Sequence, residues 1–376
     1  MEFKKLELIE KLNNKNPEKL KLLIGFDGFV DEIIHVVDKR FDHESFRRID
    51  TIDQFSQRIA KAAGLSTNIE LVPVHKKIGG NGPIMCNALA KHQASITYIG
   101  TLGYPTINDV FKPLEESVKL YSIENPGNSD ALEFDDGKII FGKMSSLANV
   151  TYEQLVSSID EPTLRKMISE SDMFATVNWS MLPNMTDLWR KLLKNIVLDL
   201  PTKKVKPFMF IDLADPEKRE SEEILEALNL LKEFNSYFNV ILGLNKKEAY
   251  DIAAVLRLFD VFALKQMQIS LADLSASMYD FLGIHGIVIH PVDRSCCMIE
   301  GQYHEELGPY VEKPKLTTGA GDNFNSGFML GILLGLNPDE ALLTGMATSG
   351  YYVRNAMSPN YSSLLGFIRD WHNNAI

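Results

Sequence analysis

The segment 315–328, KLTTGAGDNFNSGF, sets a loop of small residues directly before an apolar run with helical spacing. Gly319 and Gly321, on either side of Ala320, let backbone N–H groups point inward at a helix start, where an anion can accept them. Asp322 follows at once, so its carboxylate can protrude into a cleft in front of the helix expected over 323–334. Helix rules alone also accommodate an ordinary aspartate cap behind a glycine turn. Gly327 and Gly331, four apart, allow this helix to pack closely on a neighbour.

Other polar residues sit where apolar runs end. Asp27 and Asp31 follow the apolar run 21–24. Two carboxylates so close need separation or a bound polyol between them, and either one reads equally as a solvated loop acid. Gly79, Gly80, Asn81, Gly82 and Pro83 form a turn before a helix over 84–92. Asn245 and Glu248 stand three apart after the run 240–242, the spacing of a capping pair. Asp212 ends another apolar run, where a turn-forming role is the alternative.

Together these segments resemble the ribokinase-like (PfkB) carbohydrate kinases. The carboxy-terminal signature matches at 317–322 with Phe324 and Gly327, and the glycine-pair segment at 77–83 with Asn87 and Ala88. Residues 98–103 continue the match, and the resemblance spans about residues 20–370. It implies a three-layer α/β/α fold with a mainly parallel central sheet and a small β-containing lid, and an ATP- and Mg²⁺-dependent kinase of a sugar or sugar derivative. In it Asp322 is the base and Gly319, Ala320 and Gly321 the anion hole. Asp31, Asp27, Gly80 and Asn81 bind the acceptor, spacing favouring Asp31 of the two aspartates. Asn245, Glu248, Thr317, Thr318 and Asn355 lie on the nucleotide side, with Glu248 reaching the metal through water. A homodimer through the lid is also implied.

Three departures mark this chain. Leu316 stands where many members carry an aspartate associated with a monovalent cation, so little K⁺ dependence is expected. His290 replaces the start of the usual Thr-x-Gly run, which leaves its role open. Residues 103–109 lack the usual acid after the glycine, so acceptor specificity should differ at that edge. The rivals are a nucleoside or vitamin-like alcohol kinase of the same fold, and a sugar- or nucleotide-binding regulator that has lost turnover. A Rossmann dehydrogenase lacks its spaced glycine fingerprint here.

The elements that must position these residues read as strands over 21–24, 69–74, 95–102, 173–177, 207–213, 240–242 and 286–289. Helices over 152–157, 162–169, 186–200, 220–232, 246–258 and 271–282 alternate with the later ones. That alternation implies a parallel sheet covered on both faces, with ligands beyond the carboxyl ends of its strands. The core is expected from 1–31, 79–103 and 146–376, and the lid from 32–78 and 104–145, the latter as a β-rich excursion. With 376 residues and 45% hydrophobic content, the chain can bury a large core. A net charge of −11 argues against nucleic-acid and anionic-membrane partners. Three cysteines without metal-ligand spacing point to a reducing, cytoplasmic setting. The start of the chain reads as a helix with Leu6, Ile9 and Leu12 on one stripe, lacking the apolar core of an export signal, and no later stretch reads as a membrane span.

Overall fold

Apolar runs without alternation build the centre of the molecule, because strands buried on both faces need apolar side chains on both. The computed structural model describes residues 2–201 and 203–376, with the backbone alone at 2 and 3. Residues 1 and 202, both inside the expected core, lie outside that description. The strands are β1 (Lys21–Phe26), β2 (Phe29–Arg40), β3 (Phe46–Arg48), β4 (Leu71–Gly79), β5 (Ser95–Gly100), β6 (Val118–Ser122), β7 (Gly127–Phe134) and β8 (Gly137–Lys143). Then come β9 (Met173–Val177), β10 (Phe208–Asp212), β11 (Asn239–Leu244), β12 (Gly286–Ile289), β13 (Arg294–Ile299) and β14 (Gln302–Leu307).

The main sheet has nine strands in the order β14-β13-β12-β11-β10-β9-β1-β5-β6. It is parallel from β12 through β6, and β13 and β14 extend it as an antiparallel hairpin. Side chains of successive strand residues enter opposite layers. Leu23, Phe174, Met209 and Leu242 join one apolar core, with helices Met185–Asn195 and Ser221–Phe234. Leu22, Ala175, Phe210 and Ile241 join the other, with helices Ala320–Leu333 and Pro338–Asn355. The three expected layers are therefore present.

A five-stranded lid sheet runs β3-β2-β7-β8, and β4 pairs with β2 along Phe29–Val36. Helix Ile52–Ala60 covers one face, burying Phe55 against Ile34, Val36, Leu132 and Phe134. The lid differs from the expected boundaries. It begins at Phe29, since β2 leaves the core almost at once. Residues 104–122 belong with the core instead, because β6 pairs with β5 and buries Val118. The strand expected over 69–74 is β4, which continues to Gly79 and delivers the chain to the glycine turn. The β13–β14 hairpin was not expected; its turn has Glu300 and Gly301 at φ 52° and 77°. The first helix, Glu2–Asn13, buries Leu8, Ile9 and Leu12, while Leu6 is exposed. The helix expected over 186–200 ends at Asn195. Cys86, Cys296 and Cys297 are buried and unpaired. No helix among the described residues is long and apolar enough to cross a membrane.

The glycines expected to permit close packing do so. A Cβ on Gly327 would stand 2.3 Å from Thr348 Oγ1, and one on Gly331 would stand 2.8 Å from Ala341 Cα. Helices Ala320–Leu333 and Pro338–Asn355 thus meet backbone to backbone. Gly331→Ala should cost about 1–3 kcal/mol by overpacking, read as a lower denaturant midpoint. An unchanged midpoint would show that the two helices separate freely.

Candidate active site

The site lies at the carboxyl ends of β1, β9, β10 and β11, where helix Ala320–Leu333 begins. Gly319 caps that helix at φ 89°, a conformation favouring glycine, and a Cβ there would meet the Tyr352 hydroxyl at 2.9 Å. The loop is tied down on its carbonyl side. Tyr352 Oη donates to Thr318 O at 2.8 Å, Ser349 Oγ to Ala320 O at 2.9 Å, and Asn323 Nδ2 to Gly319 O at 2.9 Å. Among the described residues, the N–H groups of Gly319 and Gly321 have no acceptor. The Ala320 N–H does not match them: it donates to Thr317 O at 3.0 Å, so the expected three-donor hole has two open donors here.

Asp322 lies in the first turn, buried, with Oδ1 accepting from Asn81 Nδ2 at 2.9 Å. Burial pushes its pKa up to about 8 against that hydrogen bond, and the Asp27 and Glu248 carboxylates push the same way. The contact joins two signatures 241 residues apart.

Asp27 and Asp31, indistinguishable in kind from sequence, have different surroundings. Asp27 is fully buried. Its Oδ1 accepts from Gly82 N at 2.9 Å and its Oδ2 from Asn178 Nδ2 at 2.6 Å. The Tyr98 hydroxyl donates to the Asp27 carbonyl at 2.6 Å and lies 3.3 Å from Oδ1. Burial still pushes its pKa up to about 6. Gly80 and Gly82 make room for it, since Cβ atoms there would stand 2.6 and 2.5 Å from its oxygens. Asp27 is thus enclosed beneath the glycine turn and closed to an acceptor, contrary to its expected role. Asp31, in β2, is half-buried beside Gly79, with its pKa raised by burial. Tyr98 and Asn178 were not foreseen as site residues. The available signal for Asn178 was a polar residue directly after β9, and its φ of 63° suits asparagine.

Two further buried carboxylates continue the row. Asp212 accepts from Ala214 N at 2.9 Å and Asn325 Nδ2 at 2.8 Å. Burial, followed by the Glu248 and Asp322 charges, holds its pKa well above the usual range. Asn245 and Glu248 form the expected reciprocal cap: Asn245 Oδ1 accepts from Glu248 N at 2.9 Å, and Glu248 Oε2 from Asn245 N at 2.8 Å. Glu248 Oε1 accepts from Asp215 N at 2.9 Å, so each carboxylate oxygen already holds a backbone N–H. No group of three metal-ligating side chains occurs among the described residues.

Beyond the glycine loop opens a cleft of about 360 Å³. Thr317, Gly321, His290, Pro309, Tyr310 and Val353 are on its walls. His290 packs on Phe324 with ring centroids 4.8 Å apart, and burial draws its pKa down to about 4, so the ring is neutral near pH 7. Asn355 departs from expectation. It ends its helix, exposed, with its amide bonded to Tyr351 O at 2.9 Å, while Ser349, Gly350 and Val353 of that helix line the cleft.

Comparison with known proteins accords with this layout. A family model described as prokaryotic ketohexokinase matches residues 7–371. A ketohexokinase of Haloferax volcanii is 25% identical over 358 residues, covering 93% of this chain and 92% of that protein. A carbohydrate kinase from Agrobacterium tumefaciens shares the fold at TM-score 0.63 and 16% identity, covering 93% of this chain and 97% of that one. The nucleoside kinase of Methanocaldococcus jannaschii shares it at TM-score 0.60 and 13% identity, with 95% and 99% covered. The chain therefore belongs to the prokaryotic ketohexokinase family, within the ribokinase-like (PfkB) kinases, which carry out ATP-dependent phosphoryl transfer.

Proposed function

We propose that this kinase transfers the γ-phosphoryl of ATP to a hydroxyl of a ketohexose. The observation that carries the reading is the 2.9 Å contact between Asn81 and Asp322, which sets a buried base of raised pKa beside the glycine turn of the acceptor side. The ketohexose itself is favoured by the family model and by the name of the Haloferax relative.

Asp31, Gly80 and Asn81 bind and orient the acceptor. Asp322 takes the proton of the attacking hydroxyl; a carboxylate with a pKa near the working pH is a stronger base than an ordinary one. The open N–H groups of Gly319 and Gly321 meet the charge developing on the transferred group. The cleft suits the base of a nucleotide, having no charged wall residue at neutral pH and ending at the anion loop. Mg²⁺ bound with ATP neutralises phosphate charge during transfer. The remaining lone pairs of Glu248 fit water around such an ion, with Asn245 holding the carboxylate in place. Three unpaired buried cysteines favour a reducing, cytoplasmic setting. The exposed Val74, Ile140 and Phe141 of the lid sheet favour a lid-to-lid homodimer, and sedimentation should give twice the chain mass.

The test is ADP formation with ATP, Mg²⁺ and a panel of ketohexoses, aldoses and nucleosides. Turnover of a ketohexose, with the sugar phosphate seen by phosphorus NMR, is the expected result; turnover of a nucleoside alone would contradict it. Asp322→Asn should lower single-turnover transfer roughly 10²–10⁴-fold while sparing binding of both ligands. Because the base must be deprotonated, wild-type kcat/KM for the acceptor should fall about tenfold per pH unit below about 8. The residual activity of Asp322→Asn should lack that limb, and an unchanged limb would assign it to another group. Glu248→Gln removes one acceptor from two backbone donors, so it should cost about 1–3 kcal/mol of stability. It should also raise the Mg²⁺ needed for half-maximal turnover without moving the acceptor KM. An unchanged Mg²⁺ titration would leave Glu248 a cap only.

A further inference from the structure

Two adjacent cross-strand pairs on the lid behave differently. Between β2 and β4, Glu32 stands opposite Lys76 and Asp31 opposite Lys77. Neighbouring strand positions point to opposite faces, so the pairs lie on opposite sides of the sheet. Glu32 and Lys76 share the face covered by helix Ile52–Ala60, and they close as an ion pair at 3.5 Å. Asp31 and Lys77 do not close. Asp31 lies over Gly79, where a Cβ would stand 2.3 Å from its Oδ1, and a Ser129 hydrogen bond favours its charged form.

Lys77 is left half-buried, and among the described residues it makes no hydrogen bond or ion pair. Lys138, which also faces it electrostatically, is engaged with Glu133 at 3.5 Å. The Asp31–Lys77 face is the one turned to the site, since the Asp31 carboxylate lies over Gly79, next to the Gly80–Asn81 turn that reaches Asp322. A half-buried ammonium has lost water without gaining a protein partner, an unfavourable arrangement that an incoming oxygen ligand relieves.

We infer that Lys77 contacts the acceptor, donating a hydrogen bond to one of its oxygens while Asp31 accepts from a neighbouring hydroxyl. This rests on the kinase reading above. A donor and an acceptor directly opposite on adjacent strands lie about 5 Å apart at their Cβ atoms, a spacing that serves adjacent oxygens of a polyol. The charges on this face also select the class of acceptor. Around this pair Asp31 and Glu133 balance Lys77 and Lys138, a local balance that suits a neutral polyhydroxylated sugar over a sugar acid or sugar phosphate.

The test uses Lys77→Met in the full chain, with Lys77→Gln as a second variant should the first lose its thermal transition. Kinetics are measured with the sugar the wild type turns over and with its single-deoxy analogues. The acceptor KM should rise about tenfold or more, as for loss of a hydrogen bond to a charged group. The KM for ATP should stay within about twofold. One deoxy analogue, lacking the oxygen that Lys77 meets, should show the same KM with wild type and variant. An unchanged acceptor KM overturns the inference. So does an equal loss with every analogue, which marks a purely structural lysine. A wild type that phosphorylates no sugar overturns both this inference and the kinase reading, whereas an active wild type with an indifferent variant overturns this inference alone.

Discussion

Four carboxylates held out of water at one edge of a sheet are the constraint around which this site is built. Asp27, Asp212, Glu248 and Asp322 are each at most 7% exposed. Such groups persist only where donors meet them. Each has at least one donor from a distant chain segment: Gly82 and Asn178 for Asp27, Asn325 for Asp212, Asp215 for Glu248, and Asn81 for Asp322, with Ala214 and Asn245 adding local ones. Satisfying the carboxylates therefore ties the glycine turn, three strand ends and helix Ala320–Leu333 into one arrangement.

Donors and neighbouring charges together separate Asp27 from Asp322. Burial raises both, but Asp27, with several backbone and side-chain donors, reaches only about 6, whereas Asp322, with one side-chain donor and the Asp27 and Glu248 charges beside it, reaches about 8. The first behaves as a fixed anchor under the turn. The second keeps capacity for a further proton or hydroxyl contact, as a base requires. Gly80, at φ 91°, serves both, because it leaves Asp27 room below and carries Asn81 to Asp322 above.

Local chemistry made the glycine loop at the start of helix Ala320–Leu333 legible in the sequence: glycines before an apolar run need no tertiary partner to be recognised. The capping relation of Asn245 to Glu248 was legible for the same reason, being closed within one helical turn. Non-local relations were not. Spacing after β1 favoured Asp31 for the acceptor but gave no sign that the glycines of a distant turn enclose Asp27, and Asn178 acquires its role only through a partner 151 residues away. The lid boundary failed where a polar surface hid a core edge strand, β6. The hairpin of β13 and β14 escaped because its pattern gives no turn residue stronger than Glu300 followed by Gly301. Asn355 was placed by its neighbours in sequence, whereas helix geometry turns it away from the cleft that Ser349, Gly350 and Val353 line.

Folding holds the Asp322 carboxyl in a buried setting that raises its pKa. Its usual pKa is 3.8 and its folded pKa about 8. Between those values the unfolded chain ionises while the folded protein keeps the proton. Wild-type stability must then fall as pH rises, by up to about 1.4 kcal/mol per unit, and level off above about 8. Asp322→Asn has no such titration. The direct measurement is the difference in unfolding free energy between Asp322→Asn and wild type, by denaturant titration from pH 5 to pH 9. An advantage for Asp322→Asn that grows with pH and flattens near 8 is the expected result; a difference independent of pH would contradict it.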